Sequence, residues 1–145
     1  CNAAEATALA DAVRAVLAEG ELAPRDLGVI TPYAAQAALI SKQLQRLPAS
    51  LGAAEVEVSS VDGFQGREKE LILISTVRAN RRGSLGFVAD ARRLNVMITR
   101  ARRGLVLFGA AETLEADDDW RAYLRWLRRS KCYVPLGAPN IFAPP

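Results

Sequence analysis

Apolar residues recur along this chain with two different periods, and the change of period predicts the order of its elements. From Ala3 to Ala18 they recur every three or four positions, which predicts an amphipathic helix ending at Gly20. The short apolar run at 27–31 predicts a strand, and the helical period returns at 34–47, before Pro48. The first third of the chain is therefore predicted to be helix, strand, helix.

Later runs continue this alternation. The segments 55–61, 70–77 and 104–110 are predicted strands, and the last two are continuous aliphatic runs typical of strands buried on both faces of a parallel sheet. The segments 91–102 and 117–129 have the helical period. Strands separated by helices indicate an α/β fold with a parallel sheet covered on both faces. On the last predicted helix, Trp120, Tyr123 and Trp126 are interpreted as core packing in preference to base stacking.

Composition narrows the class of protein. The chain has 145 residues, of which 50% are apolar and 24% charged, so we expect one globular domain over residues 1–132 and an irregular, proline-rich tail over 133–145. No apolar run is long enough to span a membrane, and we expect no membrane partner. Without histidine, mechanisms that pair serine or cysteine with histidine are excluded. The chain begins with Cys1 and not with Met, which suggests a longer parent.

A dense run of arginines, RRLNVMITRARRG at 92–104, precedes the last predicted strand. If the segment is helical, Leu94, Met97 and Ile98 face a core and the arginines point elsewhere. Arginine cannot be neutralised at physiological pH and presents a planar fork of donors suited to phosphate. The run is a candidate anion site, and a solvated basic face is the alternative.

Polar groups also follow the predicted strands, where ligands of parallel α/β sheets commonly bind. Thr31 ends the first strand, the loop 62–68 follows the second, and Arg78 and Asn80 follow the third, so we expect them at one edge of the sheet. Gly66 allows the backbone of that loop to approach a ligand closely. The loop lacks the GxxxxGK[ST] pattern of a phosphate-binding P-loop, and an ordinary turn is its alternative interpretation.

Three segments carry a family resemblance. VSSVDGFQGREKELILISTVRAN at 58–80 resembles motif V of superfamily 1 helicases, LNVMITRARRG at 94–104 resembles motif VI, and LGVITPYAAQ at 27–36 is a third match in the same order. Together they resemble the second RecA-like motor domain of superfamily 1B helicases, near the nonsense-mediated-decay RNA helicase. The resemblance implies a RecA-like parallel sheet between helices, of the P-loop NTPase superfamily but without its own P-loop.

The resemblance also implies roles for individual residues around ATP. Arg100 corresponds to the arginine finger, which stabilises charge on the departing γ-phosphoryl group. Glu68 is expected at the ribose hydroxyls of the nucleotide, and Gln65 and Gly66 are expected to shape the same cleft. Arg102 is expected to support the finger or the domain interface. Asn95 is given a structural or sensing role between the sites, since its amide could bridge backbone groups.

Single-stranded RNA or DNA is the expected polymer, held without regard to sequence. Its predicted contacts are hydroxyl, amide and guanidinium groups at strand ends: Thr31, Ser59, Ser60, Arg78 and Asn80. For the two serines, a hydroxyl satisfied inside a turn is an equal alternative.

The other catalytic residues of a helicase motor are not present in this sequence. The Walker A lysine and the acidic pair that binds Mg²⁺ precede this region in the family, so ATP and Mg²⁺ are expected to be held against a first RecA-like domain of the same polypeptide. The chain alone is expected to hydrolyse no ATP, and the parent to be cytoplasmic or nuclear. The alternatives are a non-catalytic nucleic-acid-binding scaffold and an unrelated α/β phosphate-binding enzyme.

Overall fold

The computed structural model describes residues 1–77 and 86–135. Within them, four parallel strands form one sheet in the spatial order β2-β1-β3-β4. The strands are β1 Leu27–Thr31, β2 Glu57–Ser60, β3 Lys69–Ser75 and β4 Ala101–Phe108. The α-helices of the same residues are α1 Ala3–Glu19, α2 Ala34–Gln45, α3 Ala91–Ile98, α4 Ala111–Leu114 and α5 Asp118–Arg129.

Local sequence explains where the longest helices begin and end. The Asn2 side chain accepts a hydrogen bond from the backbone N–H of Glu5 and so caps α1 at its start. Gly20 ends α1 in the left-handed conformation, at φ +79°, which glycine adopts without steric cost. Asp117 caps α5 by accepting from the N–H groups of Asp119 and Trp120.

The two faces of the sheet are both buried, and each carries its own core. On one face Val29 and Leu73 pack with the apolar sides of α1 and α2. On the other, Ile30 and Ile72 pack with α3, α4 and α5, where Trp120 is fully buried. This alternation along β1 and β3 follows the two-residue period of a strand. The prediction of an α/β fold with helices on both faces of a parallel sheet is confirmed.

The arginine run lies in a helix and a strand, not in one helix. We predicted a helix over 91–102, but α3 ends at Ile98 and β4 begins at Ala101, three residues before the predicted strand. Ala101 pairs with Lys69 of β3, and the charged residues that follow stay exposed because β4 is an edge strand. As predicted, Leu94 and Met97 are buried.

The segment 61–68 crosses from one edge of the sheet to the other. It leaves β2 at the carboxyl edge and reaches β3 at the amino edge, because β2 and β3 are parallel and lie on either side of β1. The expectation that this segment shares one edge with the ends of β1 and β3 was wrong for its last residues. Glu68 lies at the amino edge, beside the start of β3.

A glycine in β1 leaves the space in which a side chain of this crossover packs against the sheet. Phe64, fully buried, lies over Gly28: a Cβ on Gly28 would be 2.6 Å from the Cζ atom of Phe64. The backbone N–H of Phe64 bonds to Val61 O at 3.1 Å, within a short 3-10 turn. The crossover is therefore fixed to the sheet directly before Gln65 and Gly66.

The aromatic residues of α5 divide between core and surface. Trp120 is a core residue, as interpreted, whereas 57% of Trp126 is exposed, so core packing was wrong for that residue. Trp126 stacks on the half-buried Tyr123 with ring centroids 6.0 Å apart. Six residues advance a helix by about 600°, so Trp126 lies about 120° around α5 from the buried Trp120 and points away from the core.

None of the helices in the described ranges is long and apolar enough to cross a membrane.

Candidate nucleotide and nucleic-acid sites

The amino edge of β3 and β4 brings together two of the residues predicted at the nucleotide, Glu68 and Arg100, and the predicted supporting residue Arg102. The backbone N–H of Lys69 bonds to the carbonyl of Arg100 at 3.1 Å, so the residues before β3 and before β4 are held side by side. Glu68 immediately precedes this link, and Arg102 follows it on β4. The tertiary pairing thus joins motif V and motif VI residues that are separated by more than thirty positions in the sequence.

Arg100 is half-buried, and part of its guanidinium is unpaired. Its Nη2 donates to the Thr99 hydroxyl at 3.1 Å, while its Nε is buried without a hydrogen-bond partner among the described residues. A buried donor without an acceptor is costly, and such groups are rare in native structures. Arg100 is therefore a candidate to bind an anionic group.

Arg102 contacts Glu68, not Arg100. Its Nε lies 3.3 Å from Glu68 Oε2 and its Nη1 lies 3.3 Å from Glu70 Oε1, while Arg103 pairs with the other oxygen of Glu70 at 3.2 Å. Hydrogen bonds to Glu68 and then to Glu70 raise the pKa of Arg102 above its ordinary value. Arg102 thus holds the carboxylate of Glu68, and its support of the finger or of the domain interface stays a prediction.

Gly66 is exposed and in the left-handed region, at φ +78°, and no atom lies within 4 Å of the position that a Cβ would take. The loop therefore needs glycine for its backbone conformation and not for want of space. Gly66 follows Gln65 at the exposed end of the crossover, where both residues are open to a ligand.

Gln65 lines a shallow cleft of about 180 Å³, together with Asp62 and the first turn of α3. Asp90 caps α3 and bonds to the N–H groups of Arg92 and Arg93. The guanidinium of Arg93 also pairs with Asp62 at 3.3 Å and with Asp90 at 3.5 Å. The sequence shows that Arg92 and Arg93 are basic, but only the fold shows that they line one wall of this cleft.

The predicted nucleic-acid contacts that the structure describes lie at the carboxyl edge. Ser59 and Ser60 end β2 and are partly exposed, and the Ser60 hydroxyl accepts from Gly63 N at 3.2 Å. Ser60 therefore has a partner within a turn, and its contact with a nucleic-acid strand stays a prediction. Thr31 is fully buried, and its hydroxyl has no partner within the described residues. Arg78 and Asn80 lie outside the described residues.

Asn95 is on the exposed side of α3. Its backbone carbonyl accepts from the Thr99 hydroxyl at 2.7 Å. The structural or sensing role of its side chain between the sites stays a prediction. The Thr99 hydroxyl donates to the Asn95 carbonyl and accepts from Arg100 Nη2, so it links the two residues.

Replacing Gly66 with alanine tests the backbone requirement of the loop. We expect a loss of about 1–2 kcal/mol in the free energy of unfolding, because an L-residue is strained at positive φ. Gly20→Ala is a matched control, since Gly20 has φ +79° and equally open space around its Cβ position. Urea unfolding of both variants should give similar losses. A loss several times larger for Gly66 alone would show that its neighbours, and not its φ, require glycine.

Comparison with known protein families gives a match over most of the chain. Residues 1–112 match the family model described as "AAA domain". The match includes all four strands of the sheet and both edges at which the predicted site residues lie.

Similar curated proteins carry helicase or RNA-regulator names. The chain is 44% identical over 121 residues to ATP-dependent helicase NAM7 of Saccharomyces cerevisiae, covering 81% of the chain and 12% of that protein. It is 42% identical over 120 residues to the regulator of nonsense transcripts 1 homolog of Neurospora crassa, covering 81% and 11%. The probable helicase senataxin of Mus musculus is 38% identical over 117 residues, covering 80% and 4%. The chain thus spans about a tenth of the length of the first two relatives.

Proposed function

Because this chain belongs to the AAA domain family, we propose that it is the second RecA-like motor domain of an ATP-dependent helicase, extending over residues 1–132. Its amino edge supplies an arginine to ATP that is bound against a first RecA-like domain of the same polypeptide. The observation that carries the proposal is the half-buried Arg100, whose Nε lacks a partner among the described residues, beside Glu68 at the same sheet edge. The names of the relatives support the helicase assignment.

Arg100 would act on the transferring phosphoryl group. As the bond to the γ-phosphoryl group breaks, negative charge grows on its oxygens, and a fixed guanidinium lowers the barrier by stabilising that charge. The partial burial of Arg100 would strengthen the interaction by limiting competition from water. The N–H groups of the two Nη atoms would supply the donors for this contact, since Nε itself is buried.

Glu68 would position the nucleotide. Its carboxylate is half exposed and can accept hydrogen bonds from the ribose hydroxyls, while Arg102 holds one of its oxygens. Gln65 and Gly66, exposed on the same loop, would form the adjoining wall. Binding ATP between two domains would then couple nucleotide turnover to domain closure.

Mg²⁺ would be held by the first domain. The described residues contain no group of three histidine, cysteine, aspartate or glutamate side chains that could hold a metal ion. When bound, the ion would neutralise the β- and γ-phosphate oxygens. This chain would supply the arginine.

The carboxyl edge would contact single-stranded RNA or DNA. Ser59 and Ser60 are partly exposed there, and hydroxyl groups bind phosphate and sugar without regard to base. Arg78 and Asn80, two and four residues beyond the exit at Thr76, remain predicted contacts. Since Thr31 is fully buried, we assign it to the support of this edge and not to direct contact. The relatives' names support an RNA or DNA polymer, and the protein would act in the cytoplasm or nucleus.

Strand-stimulated ATP hydrolysis tests this function. We expect the complete polypeptide that carries this chain to hydrolyse ATP faster with poly-U or single-stranded DNA, and the chain alone to hydrolyse none. A complete polypeptide that is inactive with both strands would favour the non-catalytic scaffold. Turnover by the chain alone would favour an independent phosphate-processing enzyme.

A further inference from the structure

A buried carboxyl group connects α1 to the exit of β3. Glu5 is only 8% exposed, and its Oε2 accepts from the Ser75 hydroxyl at 2.6 Å and from the Val77 N–H at 2.9 Å. Its other oxygen accepts from the Asn2 side chain at 3.0 Å. These contacts join the first turn of α1 to residues that are 70 and 72 positions away in the sequence.

A second buried side chain closes this network. Gln36, fully buried on α2, donates through Nε2 to the Ser75 hydroxyl at 3.1 Å and to the Asn2 carbonyl at 2.9 Å. Its Oε1 accepts from the Asn2 N–H at 2.8 Å. Two helices and one strand end therefore share a single set of hydrogen bonds at the carboxyl edge. A satisfied buried polar network of this kind fixes one arrangement of the groups that it joins.

The backbone that Glu5 holds is strained. Val77 has φ +69°, a conformation that is costly for any L-residue and most unusual for a β-branched one. The residue before it is fixed independently, since Thr76 bonds to Phe108 O through its N–H at 3.1 Å and its hydroxyl at 3.2 Å. Val77 is thus forced to turn between a strand pairing on one side and the Glu5 carboxyl group on the other. Strain of this kind persists only where surrounding contacts over-determine it.

Keeping Glu5 in this place has a cost. Burial raises the pKa of Glu5 above its ordinary value, and the hydrogen bonds from Ser75, Val77, Thr76 and Asn2 oppose that effect only in part. An apolar residue at this position of α1 would avoid the desolvation, so stability alone does not explain a carboxyl group there. The explanation must lie in what the carboxyl group holds.

We propose that Glu5 is a positioning residue for single-strand binding: it holds the exit of β3 in the left-handed turn at Val77 and so sets where the chain leaves the sheet. This inference rests on the proposed function, in which the carboxyl edge contacts the strand. Glu5 itself touches neither nucleotide nor strand. Its role is exerted through the backbone at Val77, directly before Arg78.

Three variants of the complete polypeptide separate positioning from stability. Glu5→Ala removes the acceptor and should weaken binding of fluorescent poly-U by about 10-fold, while ATP affinity without the strand changes less than twofold. Glu5→Gln keeps one carbonyl oxygen and should stay within about threefold of the wild type. Glu5→Ala combined with Val77→Gly should recover most of the lost affinity, because glycine adopts the positive φ without being held there.

Glu19→Ala is the matched control, since Glu19 is an exposed glutamate at the other end of the same helix and should leave both affinities unchanged. If Glu5→Ala does not fold, Glu5→Leu fills a similar volume and removes the same acceptor. Unchanged poly-U affinity in the Glu5 variant, or equal loss of ATP and poly-U binding without rescue by Val77→Gly, would overturn the inference alone. Failure of the wild type to bind poly-U or single-stranded DNA would overturn the proposed function, and the inference with it.

Discussion

Replacing Arg100 with alanine in the complete polypeptide is expected to slow ATP hydrolysis by about 10³-fold or more, with ATP and single-strand binding kept within several-fold. An arginine that acts on the transferring phosphoryl group contributes about 10³–10⁵ to the rate in related phosphoryl-transfer systems. The contribution belongs to the transition state, where charge on the phosphoryl oxygens is greatest, so kcat should fall while ground-state affinity changes little. Steady-state ATP hydrolysis with saturating poly-U, together with a nucleotide-binding titration, measures the two quantities separately.

Arg103→Ala provides the matched control for this experiment. Arg103 lies three residues further along, carries the same charge, is 73% exposed and pairs only with Glu70 among the described residues. Exposed ion pairs contribute little, so we expect this variant to hydrolyse ATP at close to the normal rate. Near-normal turnover by Arg100→Ala would remove Arg100 from the finger role. An equal loss in both variants would mean that the general basic charge of this edge, and not one positioned group, supports hydrolysis.

Phe64→Ala is expected to lower the free energy of unfolding by about 3–5 kcal/mol, which is a large share of the stability of a typical domain. The ring is fully buried and fills the space over Gly28 between the crossover and the sheet. Its loss would leave a cavity and release the short turn that precedes Gln65 and Gly66. Urea unfolding of this chain, followed by the fluorescence of its two tryptophans, measures the change.

The contact between Phe64 and Gly28 can be isolated with a double-mutant cycle. Gly28→Ala should cost about 1–3 kcal/mol by overpacking, because the new Cβ would lie 2.6 Å from the Phe64 ring and 2.9 Å from Ile72. In a Phe64→Leu background the end of the ring is gone, and the same change should cost less. A loss of the same size in both backgrounds would show that Ile72 or Lys69, and not Phe64, requires glycine at this position.

Prediction from the sequence was strongest where local pattern and long-range fold agree. The resemblance to a superfamily 1 helicase motor domain is confirmed by the family match and by relatives about 40% identical. β1 has the predicted bounds, and α1 extends one residue beyond its prediction, because an apolar period and a terminating residue mark both elements. The assignment of Arg100 and Glu68 to ATP, and the division into a domain over 1–132 and a tail over 133–145, stay predictions.

Prediction was weakest where the partner of a residue is distant in sequence. The arginine run appears uniform, yet Ala101 pairs with Lys69 and draws the following residues into an edge strand. Arg102 is bound to Glu68, 34 residues away, and no local pattern indicates that pairing.

By itself, the sequence determined the fold class, the order of the elements and the family, since hydrophobic period, caps and ordered motifs are local properties of the chain. Only the tertiary structure decided which edge of the sheet each polar residue occupies. Strand order placed Glu68 and Arg100 together at the amino edge and Ser60 at the opposite one. It also buried Glu5 against Val77, a contact across 72 positions. Such contacts depend on how parallel strands are arranged in space, which residue patterns along one strand or helix do not encode.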